Sequence, residues 1–448
     1  MSEDIEVDVV VAGGGAAGVM AALRASENED LVVAVLEKST REGCNAGVSS
    51  GSLAAGGTRY QRTAGIEDSP ELFAEDLLRN SGDERHRPLV EALTAVAPAY
   101  VEWVGASGYD LEVGTDMVRK GQTVPRLHAD PRRRGGGPLI AHLRSVLVDR
   151  PNVAFLDEAP VTGLLVEGRA GASEAPRVIG VTARQSGHGV TVSAGATVLA
   201  TDGFAGNRAL MREFCAELGE PFHGGVATAT GDAVEWLRAL DADFRNMGAC
   251  LRHGQVTTRG TRVNPNLAWL GAVLVNLRGE RFVEETAFGY SGLAGQVQAQ
   301  PEERAVIIWD DEAQEIAQHS EMMRESEAAG AIHRAGSVAE LAGALRLDAA
   351  VLERALVARE GHRQLVPSFH YALLIHGVLT TQGGTAITTS GAVLRRDGTT
   401  VPGLYAAGGT AVGLAGPNSE GYSSGAGLLS AFGMGWIIGN GLAAATRT

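Results

Sequence analysis

Three glycines and a carboxylate mark the place where this chain could hold a phosphorylated ligand. The apolar run Val7-Asp8-Val9-Val10-Val11-Ala12 breaks into Gly13-Gly14-Gly15-Ala16-Ala17-Gly18, the spacing G-x-G-x-x-G, and a helical pattern follows. In such a turn Gly13 permits a tight bend, Gly15 lets the backbone approach a pyrophosphate, and Gly18 lets the helix pack closely on the strand. Ala16 and Ala17 fall in the helix's first turn, where unpaired N–H groups and a partial positive charge face the phosphates. A second apolar run, Leu31 to Leu36, ends at Glu37, 24 residues beyond Gly13, with Lys38 next to it. Glu37 is placed to accept hydrogen bonds from a ribose. An acid there disfavours a 2′-phosphate, so the ligand is FAD or NAD rather than NADP.

Strand, glycine turn, helix, strand and terminal acid come in the order that a βαβ unit requires. The chain of 448 residues exceeds one ordinary domain, and two domains are the natural expectation. Hydrophobic residues make up 44% and charged residues 20%, a globular composition, and the 60 glycines fall between periodic segments, which suits tight turns. The formal net charge of −15 repels phosphate backbones and anionic bilayers, which argues against nucleic-acid and membrane partners. Cys44, Cys215 and Cys250 form no C-x-x-C pair, which excludes a zinc ribbon, a haem attachment and a disulfide framework and points to a reducing, cytoplasmic setting. The acidic start runs straight into the first strand, so no secretory segment is expected. The apolar stretch Leu428 to Ala445 is interrupted by Gly433, Gly435, Gly439 and Gly441 and reads as a buried helix rather than a membrane span.

A loop of small residues, Glu42 to Gly57, includes Asn45, Ser50, Gly51 and Ser52 and invites close contact with a flat ligand. Residues 67 to 107 carry helical spacing, and Arg132-Arg133-Arg134 could contact the cofactor's phosphates or an anionic substrate, although a solvated charge run is the favoured reading. Strands are predicted at Val153 to Leu156, Val161 to Val166, Val178 to Ala183 and Gly189 to Val192. Another, Ala196 to Leu199, enters Ala200-Thr201-Asp202-Gly203-Phe204-Ala205-Gly206-Asn207. A later strand, Val306 to Asp310, and helices around 335 to 360 precede Thr381-Gln382-Gly383-Gly384 and Val401-Pro402-Gly403-Leu404-Tyr405-Ala406-Ala407-Gly408-Gly409.

Taken together, these motifs resemble the fumarate reductase and succinate dehydrogenase flavoprotein superfamily, which includes soluble fumarate and urocanate reductases and 3-ketosteroid dehydrogenases. The resemblance implies an α/β fold, a Rossmann-like FAD-binding domain with an inserted α+β cap. It divides the chain into 1–221 and 368–448 for the cofactor and 222–367 for the cap. It implies that the loop at Asn45, Ser50, Gly51 and Ser52 passes along the isoalloxazine. Asn45 takes the position of the histidine that membrane-bound members link covalently to flavin, so FAD is expected to be noncovalent, with Cys44 the alternative point of attachment. The adenine is expected near Val161. Asp202 replaces a glycine of the family's strand end, and Gly409 replaces a frequent glutamate. Ala200, Thr201, Asn207, Gly408 and Ser424 complete the implied cofactor set.

A flavin in such a fold exchanges hydride at N5 while a protein acid or base handles the neighbouring proton, interconverting CH–CH and C=C beside a carbonyl or carboxyl. The segment Val275-Asn276-Leu277-Arg278-Gly279-Glu280-Arg281-Phe282-Val283-Glu284-Glu285 is similar to a family motif in which Arg281 implies a proton donor. The residue types leave a second reading, in which Arg281 pairs with Glu284 or Glu285 and fixes the cap. Ser419 and Thr380 stand where fumarate reductases use an arginine and a histidine, and His253 matches a third substrate histidine. Without a bidentate arginine a small dicarboxylate loses its main charge partner, so fumarate is not the expected substrate. Tyr290 and Tyr422 lie near the tyrosine positions of the ketosteroid enzymes, and His370 and His376 could reach the flavin. The chain is thus expected to be an FAD-dependent C–C oxidoreductase acting on a small-molecule substrate, with cyclic ketones among the candidates, at a site between its domains, with a separate electron donor or acceptor. Oxidation of a C–N or C–OH bond, or a flavin-binding partner protein without activity, are the alternatives.

Overall fold

Valine-rich runs with both faces buried build the central parallel sheet, because a strand covered by helices on each side needs apolar residues at successive positions. The computed structural model describes residues 3–115, 118–168, 176–357 and 363–445. In chain order the elements that bear on the site are β1 (Glu3–Ala12), α1 (Ala16–Ala25), β2 (Val33–Leu36), α2 (Gly136–Val148), β3 (Val153–Leu156), β4 (Val161–Glu167), β5 (Arg177–Gln185) and β6 (His188–Leu199). They continue with β7 (Cys250–Thr257), β8 (Val273–Val275), α3 (Tyr290–Gln298), β9 (Arg304–Asp310), β10 (Phe369–Thr381), β11 (Thr400–Ala406) and α4 (Ala426–Ala444).

Two compact units emerge: residues 1–217, 225–250 and 380–448 form one, and residues 218–224 and 251–379 the other. The partition read from the sequence put 225–250 in the cap. In the structure this segment packs with the first unit, because Lys38 pairs with Asp232 at 2.6 Å and Phe244–Arg245 pairs antiparallel with Gly384–Thr385.

In the first unit the sheet order is β11-β6-β1-β2-β3, with all these neighbours parallel, and the antiparallel pair β4 and β5 joins at β6. β6 is one strand of 12 residues, where two short strands were predicted. Pairing with β1 carries it past Gly195, since Val7 faces Ala194 and Val9 faces Ala196 in continuous register.

α4 is long and apolar enough by length and composition to cross a bilayer, yet it is a packed element of this unit. A Cβ on Gly435 would stand 2.5 Å from the Ala17 carbonyl oxygen, so the absence of a side chain lets α4 lie directly on α1.

Beside this core the fully buried Arg126 donates to both oxygens of Asp68 at 2.7 and 2.8 Å, pairs with Asp76, and lies over the Phe73 ring. The cluster fixes the helix Pro70–Ser81 to the strand Leu127–Ala129 that follows Arg126. In the second unit β10 is the central strand, paired with β9, which in turn pairs with β8; Trp309, Ile307 and Leu274 lie at the centre of one of its apolar clusters. Replacing Arg126 with methionine leaves the buried Asp68 without its cation and Asp76 with Arg79 alone, and the variant should lose about 3–5 kcal/mol of unfolding free energy in a urea titration followed by circular dichroism.

Candidate active site

A cleft opens in the first unit where β1, β2 and β6 end. Gly13 has φ +106°, and a Cβ there would stand 2.2 Å from the Ala200 oxygen, so only glycine fits the turn. A Cβ on Gly18 would meet the Gly13 oxygen at 1.9 Å, which explains how closely α1 approaches β1. A Cβ on Gly15, by contrast, would meet only the Cys44 Cβ at 3.6 Å, leaving that stretch of backbone open to the cleft. The cleft is open to solvent on one side. Val161, Ala200, Thr201 and Asp202 line it together with Gly13, Gly15, Glu37 and Lys38.

Glu37 has a structural task that spacing did not show. Its Oε2 accepts from the Gly14 N–H at 2.6 Å and its Oε1 from the Ser39 N–H at 2.9 Å. Each carboxylate oxygen keeps capacity for another donor, such as a ribose hydroxyl. Arg144 of α2 completes the turn from the other side, donating through Nε and Nη2 to the Gly14 oxygen at 2.9 and 2.7 Å. Nothing in the G-x-G-x-x-G spacing points to Arg144, whose place in the turn depends on how α2 packs.

Lys38 was expected to bind the cofactor. In the structure its ammonium donates to the Thr228 oxygen at 3.1 Å and to Thr230 Oγ1 at 2.9 Å, and it pairs with Asp232 at 2.6 Å, which uses its three N–H groups. Lys38 therefore ties the end of β2 to residues 228–232 and has no donor left for a phosphate.

Asn45 reaches Asp202, its Nδ2 donating to Oδ2 at 2.7 Å while its Oδ1 accepts from the Val226 N–H at 3.0 Å. Asn207 caps the helix Arg208–Phe214 by accepting from the N–H groups of Ala209 and Leu210, so its carbonyl is taken. Ser50 and Ser52 bond each other at 3.1 Å, and Gly51 packs against Gly135 and Gly136; these three residues do not line the cleft. Gly408 approaches Ala17, Gly409 approaches Asp202, and the Ser424 oxygen accepts from Gln122 at 3.2 Å. Ala16 and Ala17 are buried in the first turn of α1. Cys44 is half-buried at the cleft, and burial pushes its thiol pKa up.

The candidate catalytic hydroxyls of this unit are engaged. Ser419 Oγ accepts from the Cys250 N–H at 3.3 Å, Thr380 Oγ1 accepts from Gln382 at 3.3 Å, and the Tyr422 hydroxyl accepts from the Gly427 N–H at 3.4 Å near the start of α4. The arginines at 132–134 are exposed, as a solvated run is; Arg134 pairs with Asp130 and Arg133 lies 3.5 Å from Glu112.

The second unit brings His253 and Tyr290 together. Their rings stack with centroids 5.2 Å apart, Tyr290 opening α3 and His253 sitting on β7. His253 Nδ1 accepts from the Gln255 N–H at 3.1 Å, which places the neutral ring's proton on Nε2. Burial, with the Arg262 charge adding, lowers its pKa to about 3, so the imidazole is neutral and serves as a donor.

Arg281 pairs with the fully buried Glu285, whose Oε1 also accepts the Leu274 N–H at 2.8 Å. That closed pair favours the cap-fixing reading over the proton donor. His370 bonds Asp311 at 2.7 Å and stacks on Trp309. His376 lies between Arg252, at 3.2 Å, and Glu303, at 3.0 Å, and Arg252 also donates to Gln298 at 2.7 Å. This polar chain was missed apart from its histidine, since its members come from β7, α3, β10 and the turn before β9.

A backbone left open at Gly15, an acid with spare acceptor capacity and a lining of small residues suit a phosphorylated dinucleotide. Residues 8–425 match the model of the FAD binding domain family. The chain belongs to that family. FAD is its cofactor, and the βαβ turn of this FAD binding domain is the one described above.

The chain is 29% identical over 440 residues to the NADH:fumarate oxidoreductase of Klebsiella pneumoniae (strain 342), a match that covers 92% of this chain and 45% of that protein's length. It is 29% identical over 448 residues to the fumarate reductase (cytochrome) of Shewanella frigidimarina, covering 93% of this chain and 74% of the relative. Among solved structures, the 3-ketosteroid delta1-dehydrogenase of Sterolibacterium denitrificans superposes with a TM-score of 0.81 at 19% identity, covering 98% of this chain and 99% of that one, and so shares the fold.

A side chain on Gly15 would close the approach without disturbing the Gly13 bend. Gly15→Leu should keep the protein's thermal midpoint within a few degrees while weakening FAD retention by at least about tenfold (about 1.4 kcal/mol), read as flavin absorbance per chain after gel filtration.

Proposed function

We propose that this FAD binding domain protein is an oxidoreductase that dehydrogenates or reduces a C–C bond next to a carbonyl of a small organic substrate. Its relatives named as fumarate reductases support the C=C chemistry. The observation that carries the choice of substrate class is the neutral, buried His253 stacked on Tyr290.

FAD, when bound, supplies hydride exchange at the carbon that is reduced or oxidised. The turn at Gly13–Gly18, the clamp of Glu37 and Arg144 on Gly14, and Val161, Ala200 and Thr201 form its binding surface, with noncovalent attachment. The Tyr290 hydroxyl delivers or removes the proton on the adjacent carbon. Nε2–H of His253 donates to the substrate carbonyl. As a neutral ring it polarises that oxygen without carrying a charge that needs a counter-ion.

A small dicarboxylate is disfavoured as substrate. Ser419 and Thr380 are neutral hydroxyls with partners of their own and cannot grip a carboxylate as a bidentate guanidinium does. Electrons come from, or go to, a separate small molecule or protein, and the cytoplasm is the compartment we assign.

The test is anaerobic: photoreduced protein is mixed with a panel of unsaturated ketones and acids, and flavin reoxidation is followed. Cyclic or acyclic enones should reoxidise it faster than fumarate does; bleaching of the oxidised protein by amines or alcohols alone defeats the proposal. Tyr290→Phe should lower kcat by about 10²–10⁴-fold with an unchanged flavin spectrum. Because the His253 pKa is lowered from 6.5 to about 3, the ring stays neutral as the pH falls through 6.5, and kcat/KM should show no acidic limb from this histidine between pH 5 and 7, about two units above its pKa.

A further inference from the structure

Asp202 lines the same cleft as Gly13 and Gly15, the backbone expected to approach a diphosphate. Asp202 follows β6 with φ +67°, the left-handed region that favours glycine and that Asp and Asn tolerate. Its Oδ2 accepts from Asn45 at 2.7 Å and its Oδ1 from the Gly203 N–H at 2.7 Å. Both donors are neutral.

Among the described residues, the charged and titratable groups around it offer no compensating cation. Glu37 faces it from the end of β2 and Cys44 from the following loop. Arg144 gives its fork to the Gly14 oxygen, and Lys38 is paired with Asp232. Burial, with the Glu37 charge adding, already pushes the Asp202 pKa up in the free protein. Cys44 is a thiol whose pKa burial raises above its usual 9.0, so it stays neutral through the neutral range. Bound FAD adds the charge of its diphosphate to the same low-dielectric cleft, where like charges oppose each other strongly.

We propose that Asp202 couples FAD binding to proton uptake: the carboxyl is neutral when the cofactor is bound, so that affinity for FAD declines as the pH rises. This rests on the assignment of FAD to the cleft. The sign follows from linkage. FAD makes ionisation of Asp202 harder, so the carboxyl's pKa is higher in the complex than in the free protein. Between those two values binding takes up one proton and Kd grows up to tenfold per pH unit, while below and above that window it is flat. Asn45, which holds Oδ2, becomes the positioning residue for this proton.

The full-length holoprotein is diluted at a series of pH values from 5.5 to 8.5, and FAD release is read from its fluorescence. Wild-type Kd should rise by at least about tenfold across the series. Asp202→Asn keeps the backbone conformation and removes the charge; it should bind FAD with a flat profile, and more tightly than wild type at the alkaline end. Titration calorimetry in buffers of different ionisation enthalpy should find proton uptake on FAD binding to wild type and none for the variant, and Asp202→Gly provides a second neutral variant. A flat wild-type profile, or the same slope in Asp202→Asn and Asp202→Gly, overturns the proposal. Failure to hold FAD at any pH overturns the assignment of FAD to the cleft, and the proposal with it.

Discussion

The backbone around Gly14 is held at both of its polar atoms, and the cofactor half of the molecule depends on that grip. Glu37 accepts its N–H and Arg144 donates twice to its carbonyl oxygen. A glycine-rich turn has many conformations available when unfolded, so its order must come from elsewhere. Here one anchor arrives from the end of β2 and the other from α2, and the turn is fixed only when the parallel sheet and its covering helix have formed. The same arrangement sets the start of α1, whose close packing under α4 then requires a bare backbone at Gly435.

Charge in the cleft follows a consistent logic. The cations nearest the turn are both committed to protein partners: Arg144 to a carbonyl, Lys38 to Asp232 and two threonine positions. What remains for a dinucleotide is a helix start with free N–H groups, an open stretch of backbone and two carboxyls, Glu37 and Asp202. Recognition by dipoles rather than by a salt bridge fits a ligand whose phosphates are linked on both sides. The acid at Asp202 is what distinguishes this cleft, because its neighbour Asn45 stabilises it by hydrogen bonding but supplies no positive charge.

Several polar groups of the second unit are joined into chains. Arg252, His376, Glu303 and Gln298 satisfy one another, and Glu285 satisfies both Arg281 and the Leu274 N–H. Such networks hold side chains in one geometry, because a buried polar atom that loses its partner is costly. His253 is the exception in kind. Its Nδ1 is occupied by a backbone N–H, its ring lies on Tyr290, and its Nε2–H is the group through which the unit can address a carbonyl in the chemistry we propose.

The βαβ unit, its glycine turn and the acid that ends β2 were legible in the sequence, since each depends on residues adjacent along the chain: alternation and apolar runs set strands, and glycine alone fits φ +106°. So was the helical character of Leu428 to Ala445, from its composition. The rest was decided by contacts between distant segments. The sequence could not show that 225–250 joins the first unit, that β6 runs unbroken past Gly195, or that Lys38 is bound by Thr228, Thr230 and Asp232, because each depends on which segments the fold brings together. The partners of Arg281, Asn207 and Arg144 depend on the fold in the same way, since they come within hydrogen-bond reach only once the sheet and helices have packed. The sequence by itself determined where a dinucleotide could bind; the tertiary structure decided which charges were left to meet it, because a side chain's free donors are those remaining after folding has supplied its partners.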